Sequence, residues 1–231
     1  VAATRAGVGL IVVPAVERAN FGAVASVCRE HEGCRAAYGI HPMYVMQAKE
    51  ADIAVLRDWL AREKPVAVGE IGLDLHVADV DPARQEFFFG EQLKLARAFD
   101  LPVILHVRRA VDQILKHLRR HRVRGGIAHA FNGSRQQADE FIGLGFRLGF
   151  GGAMTFSGST RIRQLAATLP AESIVLETDA PDIPPAWLDR GRNSPAELPR
   201  IAGVLAELRK ISPEDLAALT TANARSVLRG L

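Results

Sequence analysis

Histidine and carboxylate side chains of the kind that bind metal ions follow several short apolar stretches of the sequence. In chain order, the set is His41, Glu70, His106, His129 and Asp179. Each stands at the carboxyl end of a predicted β-strand, and all but the first share a face with the aliphatic residues before them. Imidazole nitrogens and carboxylate oxygens suit Zn²⁺, Mn²⁺ or Mg²⁺, and a set without thiolates does not suggest an iron–sulfur or closed structural zinc site. The pattern predicts a divalent-metal centre with open positions for catalysis.

Each of these residues also has a purely structural interpretation. A single histidine at a strand end, such as His106 or His129, is more often hydrogen-bonded within the protein than bound to a metal. Glu70 alone could equally cap a helix or pair with an arginine. Burying several uncompensated carboxylates is costly, however, and a bound dication is one of the few ways to offset that cost. The combination therefore favours the metal interpretation.

Two neighbouring residues extend the set. Glu177 has the strand parity of Asp179 one layer further down, so we expect it to accept a hydrogen bond from the other N–H of a ligand histidine. Arg108 follows His106 at the same predicted face and is placed to meet an anionic substrate, although a surface role at a helix start fits it equally well. The basic run 116–124 is interpreted as a solvated helix face.

The elements that must position these residues alternate along the chain. Apolar stretches of strand length are separated by longer helical patterns, which is typical of βα units around a parallel sheet. The predicted strands are 9–14, 36–41, 66–70, 103–107, 126–130, 146–149 and 174–179. Residues at the ends of five strands converge on one axis in a barrel, whereas an open sheet spreads them along an edge. We therefore expect an α/β fold, a TIM (β/α)₈ barrel whose first strand lies before Val1.

Composition sets broad limits on the class of protein. The chain has 231 residues, 48% of them hydrophobic, which suits one barrel domain over residues 1–231. A net charge of +3 tolerates a polyanionic partner without demanding one. The sequence contains no apolar run of membrane-spanning length and no signal-peptide pattern, so we expect a cytoplasmic protein without a membrane partner. Cys28 and Cys34 are expected to be reduced thiols without a role, and no obligate protein partner is evident.

Five short motifs carry a family resemblance. They are GIHP (39–42), VGEIGLD (68–74), ILHVR (104–108), HAFNGS (129–134) and ETDAP (177–181). In this order and spacing they resemble the TatD-type metal-dependent deoxyribonucleases, which are TIM-barrel hydrolases of the amidohydrolase kind. The closing TTANARSVL (220–228) is similar to the last helix of that family, so the resemblance spans the whole chain.

The resemblance implies an enzyme that binds two divalent ions, Mg²⁺, Mn²⁺ or Zn²⁺, and cleaves phosphodiester bonds of DNA or another nucleic acid. Glu70 would bridge both metals, and His106 and His129 would ligate one of them. Asp179 would ligate a metal and orient or deprotonate the attacking water, which makes Asp179 and Glu70 the catalytic residues. His41 would contact the substrate phosphate.

One feature departs from the family pattern. The first strand of these enzymes ends in a His-x-His pair that binds metal, and this sequence contains no His-x-His. Since seven strands were predicted and the barrel needs eight, we hypothesise that about 20 to 30 residues, roughly one βα unit, precede Val1 and carry the pair.

Three functions are compatible with the sequence. The leading hypothesis is a metal-dependent nuclease that removes nucleotides from DNA ends. A second keeps the metal centre but assigns it a small phosphoester, lactone or amide, because a fold and a metal do not determine the substrate. The third is a barrel without catalysis that binds nucleic acid or a protein partner.

Overall fold

A computed structural model describes residues 1–228 and 230–231. The chain divides into two compact units. The five-strand unit consists of residues 10–128 and 227–231, and the two-strand unit consists of residues 1–9 and 129–226.

Strands and helices alternate along the described part of the chain. The strands are β1 (Ile11–Pro14), β2 (Cys34–Tyr38), β3 (Ala67–Asp74), β4 (Val103–Arg108), β5 (Gly126–Ala128), β6 (Phe146–Phe150) and β7 (Ile174–Leu176). The helices are α1 (Ala2–Arg5), α2 (Phe21–Glu30), α3 (Asp52–Glu63), α4 (Pro82–Ala98), α5 (Val111–Arg120), α6 (Arg135–Gly143), α7 (Thr160–Thr168), α8 (Leu198–Arg209) and α9 (Pro213–Val227).

The five-strand unit is built on a parallel sheet whose strands follow chain order from β1 to β5. All eight residues of β3 are buried, as expected for a central strand of a parallel sheet that is covered on both faces. Helix α4 makes extensive contact with β3, and its Phe88, Phe89 and Leu93 are buried. Helix α4 therefore packs against the central strand of this sheet.

Strand β3 is longer than predicted and irregular. It runs to Asp74 rather than ending at Glu70, and its register against β4 shifts between Val68 and Ile71. A side chain on Gly69 would lie 2.7 Å from the Cβ atom of Ile104, so the close approach of the two strands requires glycine. A local irregularity of this kind re-aims the side chains within it, and Glu70 is one of them.

The two-strand unit contains the parallel pair β6 and β7, with Leu148 opposite Ile174 and Phe150 opposite Leu176. Helix α9 secures the start of β7, because the Asn223 amide donates to the carbonyls of Ala171 and Ile174 at 2.8 Å each. These bonds satisfy backbone acceptors where the strand begins.

Several predicted strand ends were wrong by a few residues. β7 ends at Leu176 rather than Asp179, and β2 ends at Tyr38 rather than His41. Asp179 has a φ of 56°, which a strand cannot accommodate, and prolines follow it. The two site residues therefore lie on loops just beyond their strands.

Candidate metal centre

In the five-strand unit, His106 lies between two carboxylates. On one side of the imidazole, Nδ1 is 3.0 Å from Oε1 of Glu70. On the other side, Nε2 is 3.0 Å from Oδ2 of Asp74, whose side chain is fully buried. An imidazole that donates its Nε2–H to Asp74 presents the Nδ1 lone pair towards Glu70. The arrangement suits a metal ligand whose tautomer is fixed by its second nitrogen.

His41 joins the same group from the loop after β2. Its Nε2 is 3.2 Å from Oε1 of Glu70, and its ring centroid is 4.4 Å from that of His106. Its Nδ1 accepts a hydrogen bond from the Met43 backbone N–H at 3.2 Å, so a neutral ring carries its proton on Nε2. Ligand atoms of His41, Glu70 and His106 all lie within 4.8 Å of one another. Three of the residues predicted from sequence are thus brought together.

The chemistry of this group fits a divalent cation. It offers carboxylate oxygen and imidazole nitrogen, and the side chains of Glu70 and His41 are only 10% and 9% exposed. A cation at such a position offsets the cost of burying the Glu70 charge, and an N/O donor set accepts zinc or manganese readily.

In the two-strand unit, His129 and two acidic residues are gathered. Nδ1 of His129 is 3.8 Å from Oε1 of Glu177 and 3.8 Å from Oδ1 of Asp179. We expected Glu177 to accept a hydrogen bond from a histidine N–H, but 3.8 Å exceeds hydrogen-bond length. Glu177 instead accepts the backbone N–H of Ala130 at 2.6 Å, which ties it to the residue that follows His129.

Space for Glu177 depends on a glycine of β6. A Cβ atom on Gly149 would lie 2.0 Å from Oε2 of Glu177, so no other residue fits there without moving the carboxylate. A Cβ atom on Gly151 would lie 2.9 Å from the Glu177 carbonyl oxygen. The glycines of this segment therefore allow the backbone to pass close to the acid.

The loop that carries Asp179 is held by one buried amide. Nδ2 of Asn193, a residue only 3% exposed, donates to the carbonyl oxygens of Thr178, Asp182 and Ile183 at 2.6, 2.8 and 3.1 Å. These bonds replace the sheet pairing that the loop lacks and fix the backbone on both sides of Asp179.

Arg108 lies beside Asp74, with most of its side chain in solvent. Its side chain is 54% exposed, and Nη1 is 3.9 Å from Oδ2 of Asp74. An exposed guanidinium near a buried carboxylate is free to move towards an anion in solution.

Sequence reasoning missed Asp74 and Asn193. Asp74 lies in a motif that was recognised, four residues after Glu70, and an acid so placed in an apolar strand is a usable signal. No sequence pattern marks Asn193, because its role depends on three carbonyls brought together by the fold.

Parallel βα architecture with histidines and carboxylates grouped in and just beyond the strands is the arrangement expected of a metal-dependent hydrolase. Residues 1–229 match the family described as TatD related DNase, and the chain belongs to this family. The predicted family, the TIM-barrel α/β fold class and the hydrolase class are confirmed.

Individual relatives give the same result. A protein named metal-dependent hydrolase YjjV, described as uncharacterized, from Escherichia coli K12 is 43% identical over 218 residues, covering 93% of this chain and 84% of YjjV. The crystal structure of YjjV, a TatD homologue, matches with a TM-score of 0.96 and 40% identity, over 100% of this chain and 90% of that one. The 3'-5' ssDNA/RNA exonuclease TatD of Cronobacter sakazakii is 37% identical over 204 residues, covering 85% of this chain and 77% of TatD.

Within the described residues, no helix combines the length and the apolar character that crossing a bilayer requires.

Proposed function

We propose that this protein is a divalent-metal-dependent phosphodiesterase that removes nucleotides from the ends of single-stranded DNA or a related nucleic acid. The observation that best supports the proposal is the pairing of Glu70 with His106, whose Oε1 and Nδ1 atoms lie 3.0 Å apart with His41 beside them. The relative named 3'-5' ssDNA/RNA exonuclease, at 37% identity, supports the choice of nucleic acid over small esters or amides.

The proposal assigns metal-ligand roles to four residues. These are Glu70, His106, His129 and Asp179, with two divalent ions of the Mg²⁺, Mn²⁺ or Zn²⁺ type. Bound ions of this kind lower the pKa of water and neutralise charge that builds on phosphate oxygens. A ligand role suits Glu70 because its Oε1 lies 3.2 Å from Nε2 of His41 and 3.0 Å from Nδ1 of His106.

Asp179 is proposed to orient the attacking water and to take its proton. Its side chain is 29% exposed, whereas the neighbouring Glu177 is 17% exposed, so water reaches Asp179 more readily. Glu177 uses Oε1 to accept the Ala130 N–H and is proposed to hold the His129 segment in place.

His41 and Arg108 are proposed to bind the substrate. A His41 ring with its proton on Nε2 directs it towards Oε1 of Glu70 at 3.2 Å, so a phosphate oxygen would compete with that carboxylate for the same donor. The exposed guanidinium of Arg108 supplies a second, charged donor for the phosphate backbone.

A cytoplasmic location is part of the proposal. Cys28 and Cys34 are both free cysteines, which is the usual state of thiols in a reducing compartment.

Replacing Asp179 by Asn tests the catalytic assignment. Asp179→Asn should lower the rate of single-stranded DNA cleavage by about 100-fold or more, the usual contribution of a positioned general base. Circular dichroism should show an unchanged fold. Asp182→Asn is the matched control, because Asp182 lies in the same loop and is exposed. It should retain full activity, and an active Asp179→Asn protein would remove Asp179 from the mechanism.

A further inference from the structure

Helix α4 carries two buried glutamines, although amide side chains are costly to bury. Gln85 and Gln92 are each only 1% exposed. They are seven residues apart, which places them on the same side of the helix two turns from each other. A buried amide is tolerated only when its hydrogen bonds are made, so the partners of these amides reveal what the residues do.

Gln92 pairs with the backbone of Ile40, the residue before His41. Its Oε1 accepts the Ile40 N–H at 2.6 Å, and its Nε2 donates to the Ile40 carbonyl at 3.0 Å. Ile40 lies beyond the end of β2 at Tyr38, so the amide takes over the pairing that the sheet no longer provides. Gln92 therefore fixes the backbone from which His41 projects.

Gln85 makes the same two-bond pair with Asp74. Its Oε1 accepts the Asp74 N–H at 2.8 Å, and its Nε2 donates to the Asp74 carbonyl at 2.9 Å. Oδ2 of Asp74 is in turn 3.0 Å from Nε2 of His106. The orientation of His106 thus depends on a backbone segment that Gln85 holds.

A third residue of α4 reaches the loop after His41. Nε of Arg84 donates to the carbonyl of Val45 at 2.7 Å, and Nη2 donates to the carbonyl of Ala48. Val45 and Phe88 belong to one buried apolar cluster, so the loop is packed against the helix as well as bonded to it. Hydrogen bonds and apolar packing therefore hold the segment 40–48 against α4.

We propose that Gln85 and Gln92 are separate positioning residues of the catalytic centre. Gln92 sets the place of His41 and hence substrate binding, whereas Gln85 acts through Asp74 on His106 and hence on metal binding. The division rests on the roles proposed above for His41 and His106. An apolar residue would fill either space without directing a backbone segment, which is why amides at these two positions point to positioning.

Methionine variants separate the two roles, because methionine is similar in length and lacks the amide. Gln92→Met should raise KM for a single-stranded oligodeoxynucleotide about tenfold, with kcat and Mn²⁺ affinity within twofold of the wild type. Gln85→Met should instead lower Mn²⁺ affinity, measured by titration calorimetry, by about tenfold or more. Gln85→Leu and Gln92→Leu replace any methionine variant that does not fold.

Leu93→Ala on the same helix is the control for general destabilisation. Leu93 is fully buried, and its loss leaves both amide pairs in place. This variant should keep KM and Mn²⁺ affinity within twofold of the wild type while it melts at a lower temperature. If the glutamine variants change neither KM nor Mn²⁺ affinity, or change both to the same extent, the proposal is overturned.

Two readouts do not depend on nuclease activity. Mn²⁺ affinity reports on Gln85 directly. Hydrogen exchange of the Met43 amide, which bonds to Nδ1 of His41, reports whether the His41 ring has moved in Gln92→Met, and it should quicken at least fivefold over wild type. A wild-type protein that cleaves no nucleic acid refutes the proposed function, while these two measurements still decide the positioning proposal.

Discussion

His106 owes its orientation to carboxylates on both sides of its ring. The sequence identified one of them, Glu70, because it ends a predicted strand within a recognisable motif. The sequence also contains a signal for Asp74, an acid within a recognised motif, but not for its hydrogen bond to Nε2 of His106, which depends on the shift in register along β3. Residue types were therefore predictable here, whereas their hydrogen-bond partners were not.

The fit between Gly149 and Glu177 leads to a prediction. Gly149→Ala should displace the Glu177 carboxylate, because the new methyl group would lie 2.0 Å from Oε2. We expect loss of the bond to Ala130 and a fall in kcat of about tenfold or more. The measurement is steady-state DNA cleavage beside a thermal melt of the same sample.

Gly143→Ala serves as the control for this substitution. Gly143 ends α6, and no atom beyond its chain neighbours and the backbone of its own helix lies within 4 Å of the position its Cβ would take. The variant should change stability by less than about 1 kcal/mol and leave kcat unchanged. Equal losses of activity in the two variants would contradict a specific role for the space at Gly149.

At the scale of elements, strand existence was predictable and strand ends were not. Each predicted strand overlaps an observed strand in the described chain, because buried parallel strands leave clear apolar stretches. The observed ends differ from the predicted ends where local backbone geometry overrides the apolar pattern, as at Asp179, whose φ is positive. His41 and Asp179 are accordingly loop residues, and a buried amide outside the loop bonds to the backbone near each of them, Gln92 near His41 and Asn193 near Asp179.

The start of α3 gives a prediction about pH. Asp52 is buried there and accepts bonds from the Lys49 N–H at 2.9 Å and from Arg18 at 2.8 Å. Burial by itself raises the pKa of Asp52, but these two bonds outweigh it, so the pKa is lowered overall. A carboxylate with a lowered pKa stabilises the fold above its unfolded pKa of about 4, and the effect is lost as pH falls through the folded pKa.

Asp52→Asn keeps an acceptor for Lys49 but removes the charge. At pH 7 it should lower the free energy of unfolding by about 1 kcal/mol, a modest value because Arg18 is 57% exposed and screened by solvent. At a pH below the folded pKa of Asp52, the difference from wild type should vanish. Urea unfolding at both pH values measures it, with Asp58→Asn, at an exposed site of α3, as the control. A difference of equal size at both pH values would refute the charge effect.

At the scale of the whole molecule, the family followed from five motifs in order, and the fold class followed from alternating strand and helix patterns with candidate ligands at the strand ends. The match over residues 1–229 confirms the family, and the match to the YjjV structure confirms the fold class. The organisation of residues 1–231 as a single domain stays a prediction. The strand pattern could indicate the barrel because each buried strand leaves an apolar stretch, whereas cooperativity between parts of a chain leaves no comparable sequence pattern.

Thermal unfolding tests that organisation together with metal binding. Protein treated with a chelator should unfold in one transition if the chain is a single cooperative domain. Mn²⁺ at about 100 times its Kd should stabilise the fold by about 2.7 kcal/mol, which corresponds to a rise in Tm of about 5–10 °C for a chain of this size. Two separate transitions would refute the single domain, and a Tm insensitive to every divalent ion would refute the metal site.

The proposed activity is hydrolysis of phosphodiester bonds with a divalent metal ion. The most direct measurement incubates chelator-treated protein with an end-labelled single-stranded oligodeoxynucleotide, before and after addition of Mg²⁺, Mn²⁺ or Zn²⁺. We predict no cleavage before addition and stepwise shortening from one end after it, with nucleoside monophosphates as products. An oligonucleotide that stays intact with every ion, or one that is shortened equally in the presence of the chelator, would contradict the claim.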